Sequence, residues 1–148
     1  MKSIPLQSLR LVVLALAAGT LLISGVFAFL RVSASAPENE VGPLLGYLVP
    51  VLALANCAVY ALLRRGLLVR ARPHRAQHRE ALRAGGVPRE LAQLTLIGCA
   101  LAESVGLFGA MAWFLGGASL LLAAPALALV AILAQFPSVE RFEAWLRD

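Results

Sequence analysis

Charge is scarce in this sequence and is missing from its longest segments. Asp, Glu, Lys and Arg make up 14% of the 148 residues, whereas 60% of the residues are hydrophobic. The mean hydropathy of +0.82 lies well outside the range of ordinary soluble proteins. Low charge with high hydropathy excludes a soluble domain and indicates an integral membrane protein.

Motifs that carry chemistry are also missing. The sequence has no glycine-rich phosphate loop, no dinucleotide fingerprint and no paired carboxylates. Because no Lys or His lies inside an apolar run, Ser104 has no neighbouring base that would make it a nucleophile. We therefore predict that the protein is not an enzyme and that it binds no cofactor and no metal ion.

Four apolar runs are long enough to cross a bilayer. A transmembrane helix needs about 20 apolar residues, and lipid offers the backbone no hydrogen-bond partner, so each run should be helical. Only Gly116 and Gly117 separate the last two runs, which must then be antiparallel neighbours. The predicted fold is an all-α integral membrane protein with two antiparallel hairpins in one domain, residues 1–148. The predicted spans are residues 11–30, 41–63, 91–115 and 118–136.

Arginine is abundant, and its distribution predicts the orientation. Residues 64–90, between the second and third spans, carry eight arginines, and basic residues also precede the first span and follow the fourth. Only Arg31 falls on the other side, beside Glu38 and Glu40. By the positive-inside rule both termini are cytoplasmic. The basic loop is expected to contact anionic lipids and not nucleic acid. Because twelve arginines accompany one lysine, which is typical of GC-rich coding, we expect a bacterial inner membrane.

Helical patterns continue outside the four spans. After the second span, a short helix can begin at Pro73 and end at Gly85. In the tail, residues 137–148, apolar side chains recur at helical spacing, which predicts an amphipathic helix at the membrane interface; a frayed terminus anchored by Trp145 is the alternative. The first span also has an alternative, a signal peptide, although its apolar run is longer than is usual for one.

One carboxylate interrupts the third span. Glu103 is its midpoint, so at ~1.5 Å per residue the side chain lies about 18 Å from either end. A charge at that depth costs about 2.5 to 3.5 kcal/mol, so Glu103 should face protein or water, or keep its proton. Thr20 and Asn56 are predicted at similar depths, about 15 and 22 Å from the outer ends of their helices. Glu103 is therefore the candidate ion-binding residue, and Thr20 and Asn56 are its candidate polar neighbours.

Small residues recur every four positions on the same helix. A small-xxx-small stripe allows two helix backbones to approach closely, either within the monomer or between copies. The sequence therefore leaves open whether the protein forms a homo-oligomer or joins a larger membrane complex. The members of this small-residue stripe are Gly98, Ala102, Gly106 and Ala110.

The segment LAESVGLFGAMAWFL, residues 101–115, resembles the ion-carrying helix of the rotor-ring proteolipids, the c subunits of V-type and F-type ATPases. The resemblance covers about a tenth of the chain and implies that Glu103 binds H⁺ or Na⁺ within the membrane. The shared features are Ala102-Glu103, Gly106-Leu107, the aromatic Phe108 and Gly109.

Two functions stay open on these observations. In the first, the protein binds or translocates H⁺ or Na⁺ at Glu103 in a proteolipid-like manner. In the second, the protein is a non-catalytic scaffold or accessory subunit, in which Glu103 contacts another helix or a partner protein. Both functions account for an acid in the middle of an apolar helix.

Two further residue pairs have a chemical and a structural interpretation. His74 and His78 are four residues apart and could share a helix face, as metal-binding histidines do, but no acidic or Cys ligand accompanies them. Cys57 and Cys99 have similar predicted depths, so a contact between them is possible. Buried cysteines usually act as small packing residues, and we expect that role here.

Overall fold

The computed structural model of the protein describes residues 3–34 and 41–147, most of which are helical. Within these described residues, three helices are long and apolar enough to cross a membrane: α1 (Leu6–Ala34), α2 (Val41–Ala71) and α4 (Arg89–Gly116). The all-α prediction and the assignment to a membrane are confirmed at this level. Glu38 and Glu40, the acidic residues of the outer connector, lie outside the described residues.

The fourth predicted span, residues 118–136, is not one continuous α-helix. A 3-10 turn (Ser119–Leu122) leads into α5 (Ala123–Ala134), and α6 (Val139–Arg147) follows after a break, bent by 81°. At ~2.0 Å per residue for the turn and ~1.5 Å for the helix, residues 119–134 extend about 26 Å. That length approaches the thickness of the hydrocarbon layer. Among the described residues there are therefore three candidate membrane spans, or up to four if the bent pair counts as one.

The segment between α2 and α4 folds as a compact connection. It contains a 3-10 turn (Arg72–His74), α3 (Arg75–Arg83) and a short strand, β2 (Gly86–Pro88). Gly85, with φ of +79°, ends the helix in a conformation that favours glycine. The short helix predicted between Pro73 and Gly85 is therefore present.

A second strand, β1 (Ser3–Pro5), pairs antiparallel with β2, a pairing that hydropathy did not predict. Ile4 lies opposite Val87, and the amide of Leu6 donates to the carbonyl of Gly85 at 3.1 Å. A Cβ on Gly86 would lie 2.9 Å from the side chain of Ser3, so the strands can approach this closely only because residue 86 is a glycine.

Helix α4 is the centre of the bundle. Helices α1, α2 and α5 each pack on α4, and α1 also packs on α5. The α4–α5 pair forms the predicted antiparallel hairpin, which turns at Gly117 with φ of +73°. The other predicted hairpin is not a packed pair, because in the described ranges α1 and α2 pack mainly on α4 and touch each other little. The small residues that permit close approach lie on α4, which explains why α4 collects the contacts.

The opposite end of the bundle from Gly117 is closed by a polar-surfaced cap, formed by β1, β2, α3 and α6 around the first turns of α1 and α4. Phe142 is fully buried in it, and Trp145 is 8% exposed. The described part of the tail is thus helical from residue 139 to residue 147, as its spacing predicts, but its apolar face packs on protein. The remaining buried members of the cap core are Leu9, Leu82, Val87, Leu91, Ala92, Leu94 and Leu146.

Candidate functional site

Glu103 lies halfway along α4, on the side that faces α1. Its side chain is half-buried, and Oε1 is 3.6 Å from the position that a Cβ on Gly19 would occupy. Gly19 therefore leaves open the space in α1 against which the carboxylate lies. Within residues 3–34 and 41–147, no side chain donates a hydrogen bond to Glu103 and no cation pairs with it. The carboxylate is placed in the interface without a polar partner there.

Thr20 lies in the same α1–α4 interface but does not bond Glu103. Its side chain is fully buried, and its hydroxyl donates to the carbonyl of Leu16 at 2.9 Å. Its methyl group is 3.3 Å from the position of a Cβ on Gly106, about one turn beyond Glu103. Thr20 thus satisfies its own hydroxyl within α1 and packs against α4 through its methyl group.

Asn56 bonds α4 next to Glu103 but not Glu103 itself. Its Nδ2 donates to the carbonyl of Leu101 at 3.0 Å and to the hydroxyl of Ser104 at 2.9 Å. The Ser104 hydroxyl in turn donates to Leu101 at 2.8 Å. These hydrogen bonds connect α2 to α4 next to Glu103. The sequence raised only a nucleophilic role for Ser104, and nothing in the sequence pointed to its hydrogen bond with Asn56.

The small-residue stripe of α4 packs within the chain. A Cβ on Gly106 would lie 2.6 Å from the Cβ of Ala128 in α5. A Cβ on Gly98 would meet the side-chain oxygen of Gln135, and it would lie 2.7 Å from the ring of Tyr60. Ala110 is 1% exposed. Of the two alternatives for the stripe, packing inside the monomer accounts for these contacts.

The hairpin end of the bundle is held by Arg31, which composition alone marked only as the exception to the charge pattern. Its guanidinium donates to the carbonyls of Trp113, at 3.1 Å, and of Phe114. It also lies 5.7 Å from the centre of the Trp113 ring. A cation bound to the last carbonyls of a helix satisfies groups that have no intrahelical partner.

The histidine pair lies in the cap, and only one member is buried. His78 is 1% exposed, and neither ring nitrogen has a hydrogen-bond partner. Its Nε2 is 4.0 Å from Oε2 of Glu90, at the start of α4. Burial lowers the pKa of His78 and outweighs the opposing effect of Glu90. Sequence spacing did not find Glu90, which is brought to His78 by the turn after α3.

The other chemical candidates are not brought together. Cys99 is buried among residues of α1 and α5, whereas Cys57 is exposed on α2, and both are free thiols. Among the described residues, no three His, Cys, Asp or Glu side chains are close enough to hold a metal ion. The residues that the geometry does bring to the middle of α4 are Glu103, Ser104, Asn56, Thr20 and Gly19.

Comparison with known proteins finds no match, whether the chain is compared with family models, with curated proteins or with solved structures. The resemblance of residues 101–115 to the rotor-ring proteolipids stays a prediction. The site consists of one carboxyl group in an interhelical contact, and the hydrogen bonds of its neighbours Thr20, Asn56 and Ser104 do not include it.

Proposed function

We propose that the protein is a small multi-pass membrane protein that binds and releases a proton at Glu103, within the α1–α4 interface. The observation that supports this most directly is the position of the carboxyl group, against Gly19 and without a hydrogen-bond partner among the described residues. A carboxylate in such a place is costly when charged and much less so when protonated. Proton binding is therefore linked to how closely α1 packs on α4.

A proton is the better ligand for this site than Na⁺. A metal cation needs several oxygen ligands around it. The two polar side chains nearest in depth do not bond Glu103, since Thr20 donates to Leu16 and Asn56 donates to α4. A single carboxyl group without a second polar side chain bonded to it suits a proton, which needs only one oxygen atom.

The proposed orientation places the cap in the cytoplasm of a bacterium, beneath the inner membrane. The basic side chains of α2 and α3 cluster at the cap end, whereas Arg31 at the hairpin end is bound to α4 carbonyls. By the positive-inside rule, the cap end is the cytoplasmic one. Both termini then lie in the cytoplasm, and Glu103 lies between the two sides.

Proton binding is tested by reacting the purified protein with a hydrophobic carbodiimide, which modifies protonated carboxyl groups in apolar sites. We expect modification at Glu103, and its loss in Glu103→Gln. Translocation is tested in parallel, by measuring proton flux into sealed vesicles that contain the wild-type protein or Glu103→Gln. Glu80→Gln is the matched control, because Glu80 is exposed on α3 in the cap.

Each outcome has a definite meaning. Modification at Glu103 together with a flux that Glu103→Gln abolishes supports proton translocation. Modification without flux in wild type limits the function to proton binding. If Glu103 is not modified and Glu103→Gln changes only association with other proteins, the protein is a scaffold or accessory subunit and the proposal is wrong.

A further inference from the structure

The bundle has a long groove on the side away from α1. Helices α2 and α5 both pack on α4, and their described residues touch each other little, which leaves a cavity of about 610 Å³ between them with α4 as its floor. It runs from Gly46 to Tyr60 along α2, about 21 Å at ~1.5 Å per residue. Nearly all of its walls are apolar side chains. Small residues give it its width: Ala53, Ala102, Ala128 and Ala131.

One end of the groove is polar and positively charged. Tyr60 and Gln135 line that end, and the side-chain oxygen of Gln135 is buried without a hydrogen-bond partner. Arg141, on α6, hydrogen-bonds Tyr60, and the charge of Arg64 also acts on Tyr60. The groove is thus apolar along most of its length and positively charged at the end that lies level with the cap.

Arg141 is held in place by the protein but not neutralised by it. Its guanidinium donates to the carbonyl of Ala134 and lies 4.7 Å from the centre of the Trp145 ring. Within the described ranges no carboxylate forms an ion pair with Arg141. Burial lowers the pKa of Arg141, and the nearby charge of Arg64 acts in the same direction, whereas Tyr60 raises the pKa. A guanidinium without a carboxylate partner at one end of an apolar groove attracts an anion.

We propose that this groove binds one anionic phospholipid from the surrounding bilayer, with an acyl chain between α2 and α5 and the phosphate at Arg141. Acyl-chain methylenes match the apolar walls, and a guanidinium forms charge-assisted hydrogen bonds to phosphate. The 81° bend between α5 and α6 places Arg141 beside the end of the groove. This site differs from the expected contact of the basic loop with the membrane surface, because it lies between two helices. It does not depend on proton binding at Glu103.

The proposal is tested by native mass spectrometry of the full chain in detergent, with phosphatidylglycerol and phosphatidylcholine of identical acyl chains as probes. We expect one bound lipid per chain, and about tenfold tighter retention of phosphatidylglycerol. Both lipids carry a phosphate, but in phosphatidylcholine the choline cation offsets the phosphate charge and is repelled by Arg141. Arg141→Gln should remove this preference, whereas Arg65→Gln, on an exposed residue of α2, should keep it. Raising the salt concentration should weaken the preference in wild type, which tests the charge without a substitution.

Filling the groove tests the apolar part separately. Ala53→Phe places a ring in the groove and should abolish the bound lipid, whereas Ala55→Phe, on an exposed residue outside the lining, should not. Equal retention of the two lipids by wild type overturns the proposal, as does lipid binding that Ala53→Phe leaves intact. A wild-type dimer that Ala53→Phe converts to monomer also overturns it, because a second copy of the chain then occupies the groove.

Discussion

At the scale of the residue, Asn56 shows how a polar side chain inside a membrane is satisfied. Its amide donates to a backbone carbonyl and a hydroxyl of α4, so it connects two helices that are otherwise apolar. Interhelical hydrogen bonds of this kind contribute about 0.6 kcal/mol on average in a membrane and up to about 1.7 kcal/mol. Asn56 is therefore a modest stabiliser, whose value lies in setting the register of α2 against α4.

We expect Asn56→Ala to lower the free energy of unfolding by about 1 kcal/mol, because it removes both hydrogen bonds. The measurement is unfolding by SDS in mixed micelles, followed by tryptophan fluorescence. Ser104→Ala removes one of the same bonds, so the double variant should lose less than the sum of the single losses. Cys57→Ala, on the neighbouring exposed residue, is the control. Additive losses would contradict the direct Asn56–Ser104 bond.

At Gly106, helices α4 and α5 approach too closely to leave room for a side chain. A side chain there meets Ala128, so Gly106→Val should destabilise the protein by about 1 to 3 kcal/mol through overpacking. Gly25→Val is a matched control, because nothing lies within 4 Å of a Cβ on Gly25. Combining Gly106→Ala with Ala128→Gly should restore much of the stability that Gly106→Ala alone loses. The same unfolding assay checks all of these variants.

The depth of Glu103 followed from counting residues, and so did the depths of Thr20 and Asn56, because a helix converts sequence position into distance. Their hydrogen bonds did not follow. Depth fixes one coordinate of a side chain, whereas a bond also depends on which face of the helix the side chain occupies and on the competing backbone carbonyls. Both Thr20 and Asn56 donate to such carbonyls, and counting residues does not reveal that choice.

At the scale of the element, α6 is the clearest case of a segment whose role depends on its neighbours. An amphipathic helix after an apolar span has the same pattern whether its apolar face meets lipid or protein. Here Phe142 is buried against the rest of the cap core. The choice was decided by α3 and β2, which are distant in sequence and which provide the surface that α6 covers.

Phe142→Ala should therefore lower the free energy of unfolding by about 3 to 5 kcal/mol, the usual cost of removing a buried phenylalanine ring. Phe29→Ala, at a residue that is 69% exposed on α1, should cost much less. Hydrogen exchange should become faster in α3 and α6 of the Phe142→Ala variant and stay slow in the middle of α4. Unchanged exchange in α3 would show that α6 does not support the cap.

At the scale of the whole molecule, the sequence predicted which segments are helices better than it predicted how they pack. Hydropathy sums over about 20 residues, so single exceptions such as Glu103 do not hide a span. Packing in a membrane lacks that signal, because a lipid-facing leucine and a buried leucine look alike. The pairing of β1 with β2 was missed for a different reason, since three-residue strands leave no periodic pattern.

The stability of the whole molecule should depend on pH through the cap. Burial holds the pKa of His78 below its usual value of about 6.5. Below that pH the unfolded chain takes up a proton that the folded chain resists, so stability should fall on acidification from about pH 7.5 to about pH 5.5 and recover as the pH rises. Thermal unfolding of wild type in detergent at several pH values measures this.

His78→Gln should remove most of that dependence, whereas His74→Gln should retain it, because His74 is exposed. Glu90→Gln should make the loss on acidification larger, since Glu90 is the group that favours a proton on His78. A dependence on pH that is identical in wild type and in His78→Gln would assign it to other residues.

Helices α1 and α4 run in the same direction and are fastened to each other at both ends. Strand β1 leads into α1 and pairs with β2, which leads into α4; at the other end, Arg31 of α1 grips the last carbonyls of α4. Because both ends are held, α1 cannot slide along α4 without breaking one of these contacts. If the charge on Glu103 disturbs this interface, the response left to the pair is to bow apart or rotate at mid-length, where Gly19 faces the carboxyl group.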